Sequence, residues 1–237
     1  MDHNGAVWDT DSLRTRFSQT LSEMYREEVP LYGDLLSIIN DVDNQVLRSL
    51  SPVFRNSDQL EQKPDYQLPF RHKLERHGAI RLGTASELRN IRRQFAMLGM
   101  HPVGYYDLSV VGFPLHATAF RPIERDALEK NPFRVFTTLL RHDLLSRDIR
   151  TSVETVLSKR KLFTDRLLEL INKWEANGWI SASETDELLS ESLEIFKWHS
   201  TATVTLGQYK RLKEEHPIVA DIVSFPSAHV NHLHRGR

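Results

Sequence analysis

The sequence predicts an α+β protein in which helices at both ends flank a small β-sheet unit. Four short segments with strand-like alternation lie between residues 77 and 139, and one well-signalled helix separates the first from the second. Stretches with apolar residues at helical spacing cover residues 10–50 and 151–216. The central order is therefore β-α-β-β-β. Such a unit curls its sheet around a concavity and supplies half of a closed cup, so a second copy is expected in the chain or in a partner.

Two helices are predicted before the sheet unit. Leu13, Phe17 and Leu21 form the apolar stripe of the first helix, which ends near Val29–Pro30. In the second helix the residues expected to face inward are Leu35, Leu36, Ile39, Val42, Val46 and Leu47. The polar stretch from Phe54 to Tyr66 has no clear period and is predicted to be a loop.

The sheet unit begins with a strand at residues 77–82. Thr84 and Glu87 have the Thr-x-x-Glu spacing of a capping box, so a helix is predicted to start there and to end at Gly99. The other three strands are predicted at Val103–Leu108, Pro114–Arg121 and Pro132–Leu139.

The C-terminal helices carry further start and stop signals. Thr151 with Glu154, and Ser181 with Glu184, are interpreted as two more capping boxes, and His216–Pro217 as the end of the last helix. The predicted domains are an N-terminal helical segment at 1–65, the β-α-β-β-β module at 66–145, a helical insertion at 146–220 and the start of a second, incomplete sheet module at 221–237.

The composition indicates an ordinary globular protein. The chain has 237 residues, 40% of them hydrophobic and 27% charged, with a net charge of -1. This charge gives no global basic field, so neither nucleic acid nor an anionic membrane is expected as a partner. The absence of cysteine excludes disulfides, thiolate metal sites and cysteine nucleophiles. Without a membrane-spanning run or a signal-peptide pattern, a soluble cytoplasmic protein is expected.

The residues that most suggest chemistry are His77 and Arg81. Period-2 alternation places them with Ala79 on one face of the first strand, and the opposite face then carries Gly78, Ile80 and Leu82. An imidazole and a guanidinium suit a pocket for a metal and a carboxylate better than a core. From the residues alone, a histidine hydrogen-bonded to the backbone and an ion-paired arginine remain open alternatives.

Several separated motifs carry a family resemblance. They are HGAIRLGT at 77–84, YYDL at 105–108, PFRVFTTLLR at 132–141 and NHL at 231–233, with MYR at 24–26 and VPLY at 29–32 in the N-terminal helices. Together they resemble the 2-oxoadipate dioxygenase/decarboxylase family, also called 2-hydroxyglutarate synthases. From the residues alone, Tyr105 and Tyr106 either line the cup or, as is more usual at a strand end, belong to the core.

The resemblance implies a sheet of the vicinal-oxygen-chelate type, built from paired β-α-β-β-β modules. It implies a mononuclear Fe(II) held by two histidines and a glutamate, and oxidative decarboxylation of 2-oxoadipate to 2-hydroxyglutarate with O2 in lysine breakdown. His77 matches the first metal histidine and His232 the second. Arg81 matches the arginine that binds the substrate carboxylate, and no side chain is assigned as a catalytic acid or base.

The sequence departs from the family pattern after Asn231-His232-Leu233, where the family continues Thr-Pro-Arg and this chain reads His234-Arg235-Gly236-Arg237. The family's metal glutamate lies beyond the last residue, so the chain is expected to correspond to the N-terminal part of the family protein and to be truncated. His229 and His234 are rival metal ligands to His232.

Two other functions remain open. One is a non-catalytic remnant or binding protein that keeps the half-cup without a complete metal site. The other is a different vicinal-oxygen-chelate enzyme, an isomerase or extradiol dioxygenase, with a third ligand from a partner chain. Because a shortened sheet leaves apolar surface exposed, self-association into a homo-oligomer is also expected.

Overall fold

The chain is a mixed α+β protein with a single four-stranded sheet in the computed structural model, which describes residues 9–50, 75 and 77–228. Two helices precede the first strand, helices also connect strands of the sheet, and others follow the last strand. The predicted α+β class and the β-α-β-β-β order are both confirmed.

The N-terminal helices lie where the sequence predicts them, with α1 at Thr10–Glu28 and α2 at Pro30–Leu50. Asp9 caps α1 by accepting hydrogen bonds from the amides of Asp11 and Ser12. The apolar stripe of α1 is buried as predicted, with Phe17 packed edge-on against the rings of Phe133 and Phe196. This packing fixes α1 to the sheet unit.

The prediction that α2 turns its apolar residues inward is wrong for most of them. Leu35, Ile39, Val42 and Val46 are 46–50% exposed. Leu31 and Ile38 on the same helix are exposed as well. The main packing partner of α2 among the described elements is α1. Apolar periodicity identifies the face of a helix that favours burial, but it does not supply an element to cover that face.

The sheet consists of β1 (His77–Leu82), β2 (His101–Asp107), β3 (Leu115–Arg121) and β4 (Arg134–Leu140), in the spatial order β1-β4-β3-β2. Strands β1 and β4 are parallel, and the other two pairs are antiparallel. Helix α3 (Ala85–Met97) follows β1, and its capping box of Thr84 and Glu87 is confirmed. A short helix that the sequence did not predict, α4 (Arg125–Lys130), lies between β3 and β4.

The two faces of the sheet have different neighbours. One face joins α1 and α3 in the main core, to which Ile80, Leu82, Phe120 and Val135 belong. The opposite face is covered at one end by a second core, in which Leu115 and Leu140 pack with residues of the C-terminal helices. The rest of that second face, which includes His77, is more open.

Five helices complete the described chain: α5 (Arg147–Leu157), α6 (Asp165–Asn177), α7 (Ala182–Glu194), α8 (Leu206–Glu215) and α9 (Pro217–Ser224). The Ser181–Glu184 capping box is confirmed at the start of α7. The box predicted at Thr151 and Glu154 is wrong, because both residues lie inside α5, which begins after Ser146. Thr-x-x-Glu spacing also occurs in helix interiors, where the threonine amide is already committed to the helix.

Helix α9 differs from the prediction, which has His216–Pro217 end the last helix. Proline is equally suited to the first turn of a new helix, where its missing N–H has no partner to lose. The proposed domain boundary between 220 and 221 falls inside α9, and the domain ranges remain a prediction. None of the helices in the described ranges has the length and apolar character needed to cross a membrane.

Candidate functional site

The candidate site is the open face of β1 and β4. Parallel pairing places His77 beside Arg134, Ala79 beside Phe136 and Arg81 beside Thr138. Directly paired residues share a sheet face, and the neighbours Ile80 and Leu82 are fully buried on the other side. The predicted alternation of β1 is therefore observed, with the imidazole and the guanidinium on the same face.

Aromatic side chains form the part of this face nearest β2. Tyr106 pairs in register with Ala117 and lies 6.3 Å, ring centre to ring centre, from Phe136. The core position favoured for Tyr105 and Tyr106 is wrong, since they are 65% and 51% exposed. Consecutive residues of a strand point to opposite faces, so Tyr105 turns away from the open face and hydrogen-bonds to His116 instead. Only Tyr106 belongs to the open face.

Arg81 lies between the sheet and α9. Its Nη1 donates to Oδ2 of Asp221 over 3.2 Å, and the Arg81 side chain is only 15% exposed. The main-chain amide of Arg81 donates a 2.8 Å hydrogen bond to the carbonyl oxygen of Ala228. Ala228, which lies four residues before His232 in the sequence, is thus hydrogen-bonded to the outer edge of β1.

A second ion pair, which the sequence did not reveal, lies behind β1. Arg160 donates from Nε and Nη2 to the two carboxylate oxygens of Glu87 over 2.8 and 2.6 Å. Glu87 also accepts from the amides of Gly83 and Thr84, and Arg160 Nη1 donates to the carbonyl of Ile222 over 2.7 Å. Glu87 was predicted only as a helix cap, and no periodicity or motif identified Arg160.

Two tyrosines from α1 and α2 lie near the N-terminal end of β1. The Tyr32 hydroxyl donates to Glu75, two residues before His77, and the Tyr25 ring packs edge-on against Tyr32. Burial, followed by the neighbouring carboxylate of Glu75, raises the pKa of both phenols above the usual range. Both hydroxyl groups are therefore protonated at neutral pH, and that of Tyr32 donates its hydrogen to Glu75.

The predicted metal ligands are only partly within the described residues. His77 is exposed at the start of β1, on the open face. His232, with its rivals His229 and His234, lies outside the described residues. Within residues 9–50, 75 and 77–228 there is no group of three histidine, aspartate or glutamate side chains arranged to hold a metal ion.

The fold has known counterparts. The crystal structure of the hydroxyglutarate synthase from Pseudomonas putida in complex with 2-oxoadipate superposes with a TM-score of 0.82 at 42% identity, covering 94% of this chain and 48% of that one. A glyoxalase superfamily protein from Ralstonia eutropha superposes with a TM-score of 0.60 at 15% identity, covering 96% of this chain and 63% of that one. The second likeness concerns the fold alone and agrees with the predicted vicinal-oxygen-chelate type of sheet.

The sequence comparisons identify the family. The chain is 45% identical over 227 residues to the 2-oxoadipate dioxygenase/decarboxylase of Escherichia coli K12, covering 94% of this chain and 49% of that protein. It therefore spans about half the length of the curated relatives it matches. The family profile described as 2-oxoadipate dioxygenase/decarboxylase matches residues 17–237. The chain thus belongs to the 2-oxoadipate dioxygenase/decarboxylase family.

Proposed function

We propose that this chain provides the half of an Fe(II)-dependent 2-oxoadipate dioxygenase/decarboxylase that carries His77 and Arg81. The reaction is the oxidative decarboxylation of 2-oxoadipate to 2-hydroxyglutarate with O2, and its proposed setting is lysine degradation in the cytoplasm. The observation that carries the proposal is the shared open face of β1, on which an imidazole and a guanidinium stand four residues apart.

We propose that His77 and His232 bind the Fe(II) ion, with a carboxylate from outside the described residues as the third ligand. Chain reach supports this pairing. Ala228, hydrogen-bonded to Arg81, is four residues before His232, and four extended residues span about 13–14 Å. His77 precedes Arg81 by four strand residues, or about 13 Å, so His232 is within reach of His77.

Two histidines and a carboxylate are a ligand set that would hold Fe(II) beside the open face, where the 2-oxo acid would bind. Bound iron supplies the one-electron chemistry that closed-shell side chains lack. Arg81 binds the carboxylate far from the keto group, which fixes which carbon lies near the metal. Phe136 and Tyr106 offer apolar surface to the methylene chain of the acid.

A binding protein of the same fold without a working metal centre is the second candidate. The two candidates make different predictions for metal binding at His77, and this difference is open to direct measurement.

The test is anaerobic Fe(II) titration of the 237-residue chain and its His77→Ala variant, with His101→Ala as a matched control. His101 is also exposed, but it lies on β2 at the opposite edge of the sheet. We expect Fe(II) affinity to fall at least tenfold in His77→Ala and to be unchanged in His101→Ala. Equal affinity in all three proteins would contradict the metal role and favour the binding protein.

Turnover is measured separately by adding 2-oxoadipate and O2 and detecting 2-hydroxyglutarate by mass spectrometry. Because this chain spans about half the length of the relatives it matches, we expect little or no product from this chain alone. Robust turnover that disappears in His77→Ala would contradict that expectation and would eliminate the non-catalytic alternative.

A further inference from the structure

Asp221 occupies an unusual position for a charged side chain. Helix α9 has the sequence PIVADIVS, and Asp221 is its one charged residue among buried neighbours that include Ala220 and Ile222. The Asp221 side chain is only 23% exposed and pairs with Arg81, which is 15% exposed. A carboxylate in such surroundings loses solvation unless a partner compensates it, so the pairing with Arg81 accounts for its presence in α9.

The buried Arg160–Glu87 ion pair holds both ends of this contact. Their side chains are 2% and 9% exposed. On one side Glu87 accepts from the amide of Gly83, two residues after Arg81. On the other side Arg160 donates to the carbonyl of Ile222, adjacent to Asp221. The end of β1 and the body of α9 are therefore fixed relative to each other within two residues of the Arg81–Asp221 pair.

Gly83 allows α5 and Arg160 to pack closely against the end of β1. A Cβ atom at position 83 would lie 2.6 Å from one methyl carbon of Leu157 and 3.0 Å from Nη2 of Arg160. Only a residue without a side chain lets α5 and the Arg160 guanidinium come this near to the end of β1. The contacts that the Arg160–Glu87 pair makes around the Arg81–Asp221 pair thus depend on packing as well as on charge.

The affinity of an arginine for a carboxylate ligand depends on how its guanidinium is oriented. The guanidinium offers its donors in a flat, rigid fork, but the aliphatic stem that carries it has several rotatable bonds. Fixing the stem and the fork before a ligand arrives removes an entropic cost from binding. A neighbouring carboxylate on a rigid helix is one means of fixing them.

We propose that Asp221, braced by the Arg160–Glu87 pair, is a positioning residue that orients the Arg81 guanidinium toward the distal carboxylate of a dicarboxylic 2-oxo acid. The inference rests on the proposed function, since Arg81 must first be the receptor for that carboxylate. Asp221 then governs the preference for dicarboxylic over monocarboxylic acids and has no effect on ligands that lack the second carboxylate.

The experiment compares the binding of two ligands to the 237-residue chain by calorimetry, with Fe(II) under anaerobic conditions. The ligands are 2-oxoadipate and 2-oxohexanoate, which have equal chain lengths and differ in the distal carboxylate. The proteins are the wild type, Asp221→Ala, Asp221→Asn, Asp221→Glu, Arg81→Ala and the Arg81→Ala/Asp221→Ala double variant. Asp186→Ala, which removes an exposed aspartate paired with Arg16, is the matched control.

We expect the wild type to prefer 2-oxoadipate and the preference to fall at least fivefold in Asp221→Ala and Asp221→Asn. The charge-conserving Asp221→Glu variant should restore part of the preference, and Asp186→Ala should leave it unchanged. In the Arg81→Ala background, the removal of Asp221 should cause no further loss of preference. The Asp221→Asn variant keeps the shape of the side chain and serves as the test if Asp221→Ala does not fold.

The failures of the two proposals are distinguishable. If the wild type shows no preference, or if Arg81→Ala retains it, the proposed function of Arg81 is overturned. If Arg81→Ala abolishes the preference while Asp221→Asn lowers only the melting temperature, Asp221 is a structural residue and this inference fails. A stronger preference in Asp221→Asn would also overturn it, because Asp221 would then compete with the ligand for Arg81.

Discussion

The guanidinium of Arg14 donates a 3.0 Å hydrogen bond from Nε to the main-chain oxygen of Asn131, a residue far away in sequence on the segment that leads into β4. The same side chain donates to the carbonyl oxygens of Leu98 and Ala127 and pairs with Asp11. Arg14 has 0% exposure. A single buried cation therefore joins α1 to the ends of α3 and α4.

Replacing Arg14 by Met is expected to lower the free energy of unfolding by about 3–5 kcal/mol, because buried carbonyl groups would lose their donors. Urea unfolding at pH 7 measures the change. Arg125→Met is the control, since the Arg125 side chain is 90% exposed in its pair with Glu129 and should change stability by less than about 0.5 kcal/mol. Equal stability of the two variants would show that the Arg14 network contributes nothing net.

Gly83→Ala is expected to destabilise the protein by about 1–3 kcal/mol through overpacking. The added Cβ would lie 2.6 and 2.7 Å from the two terminal carbons of Leu157, and because that side chain is buried, moving it aside disturbs its packing. Urea unfolding of Gly83→Ala, Leu157→Ala and the double variant measures the coupling. We expect the double variant to be less destabilised than the sum of the single changes.

Gly33→Ala is the matched control for Gly83. Gly33 lies inside α2, and apart from its chain neighbours and the nearby backbone of α2 no atom of the described residues lies within 4 Å of the position that its Cβ would take. Alanine there should raise stability by about 0.5–1 kcal/mol, because alanine favours the helix. A similar loss of stability at both positions would mean that the clash with Leu157 is not the cause.

Local rules predicted most of the fold, and they failed where tertiary context decides. Alternation located all four strands, and true caps such as Ser181 with Glu184 marked helix starts. The same spacing misled at Thr151, because a local pattern does not state where a helix began. The exposure of α2 depends on which elements pack against it, and no pattern within the helix contains that information.

The candidate site was predictable only in part, for a related reason. Strand alternation sufficed to place His77 and Arg81 on one face, because that placement is a property of β1 alone. Asp221 and Arg160 are distant in sequence from Arg81, and neither belongs to a motif; Asp221 lies in α9 and Arg160 in the segment between α5 and α6. Their relation to β1 arises from the packing of α5 and α9 on the sheet, so it became visible only in three dimensions.

Glu184 provides a test of pH dependence. The hydrogen bond from Lys173, followed by that from the Ser181 amide, lowers the pKa of the Glu184 carboxyl from 4.5 to about 2. Since the folded pKa lies below the unfolded value, Glu184 stabilises the fold above about pH 4.5, and the contribution is lost as the pH falls toward 2. Glu184→Gln should therefore cost about 1 kcal/mol at pH 7.

Urea unfolding of wild type and Glu184→Gln at pH 7, 4 and 3 measures this effect, and the difference between them should shrink as the pH is lowered. Glu194→Gln, which alters an exposed pair with Lys197, serves as the control and should show a smaller difference at pH 7. A difference between wild type and Glu184→Gln that stays constant from pH 7 to pH 3 would contradict the assigned ion pair.

The exposed apolar side of α2 leads to the expectation that the chain self-associates. Leu31, Leu35 and Ile38 are 72%, 50% and 59% exposed, and a 21-residue helix offers a surface about 30 Å long. Burying this surface against a second copy removes apolar area from water, which stabilises the contact by about 25 cal/mol per Å².

Sedimentation velocity over a range of concentrations should show oligomers, and Leu35→Glu/Ile38→Glu should shift the distribution toward monomer. Val110→Glu, at a site 82% exposed outside α2, should not. A wild-type chain that stays monomeric at every concentration, or a double variant that associates like the wild type, would rule out α2 as the contact.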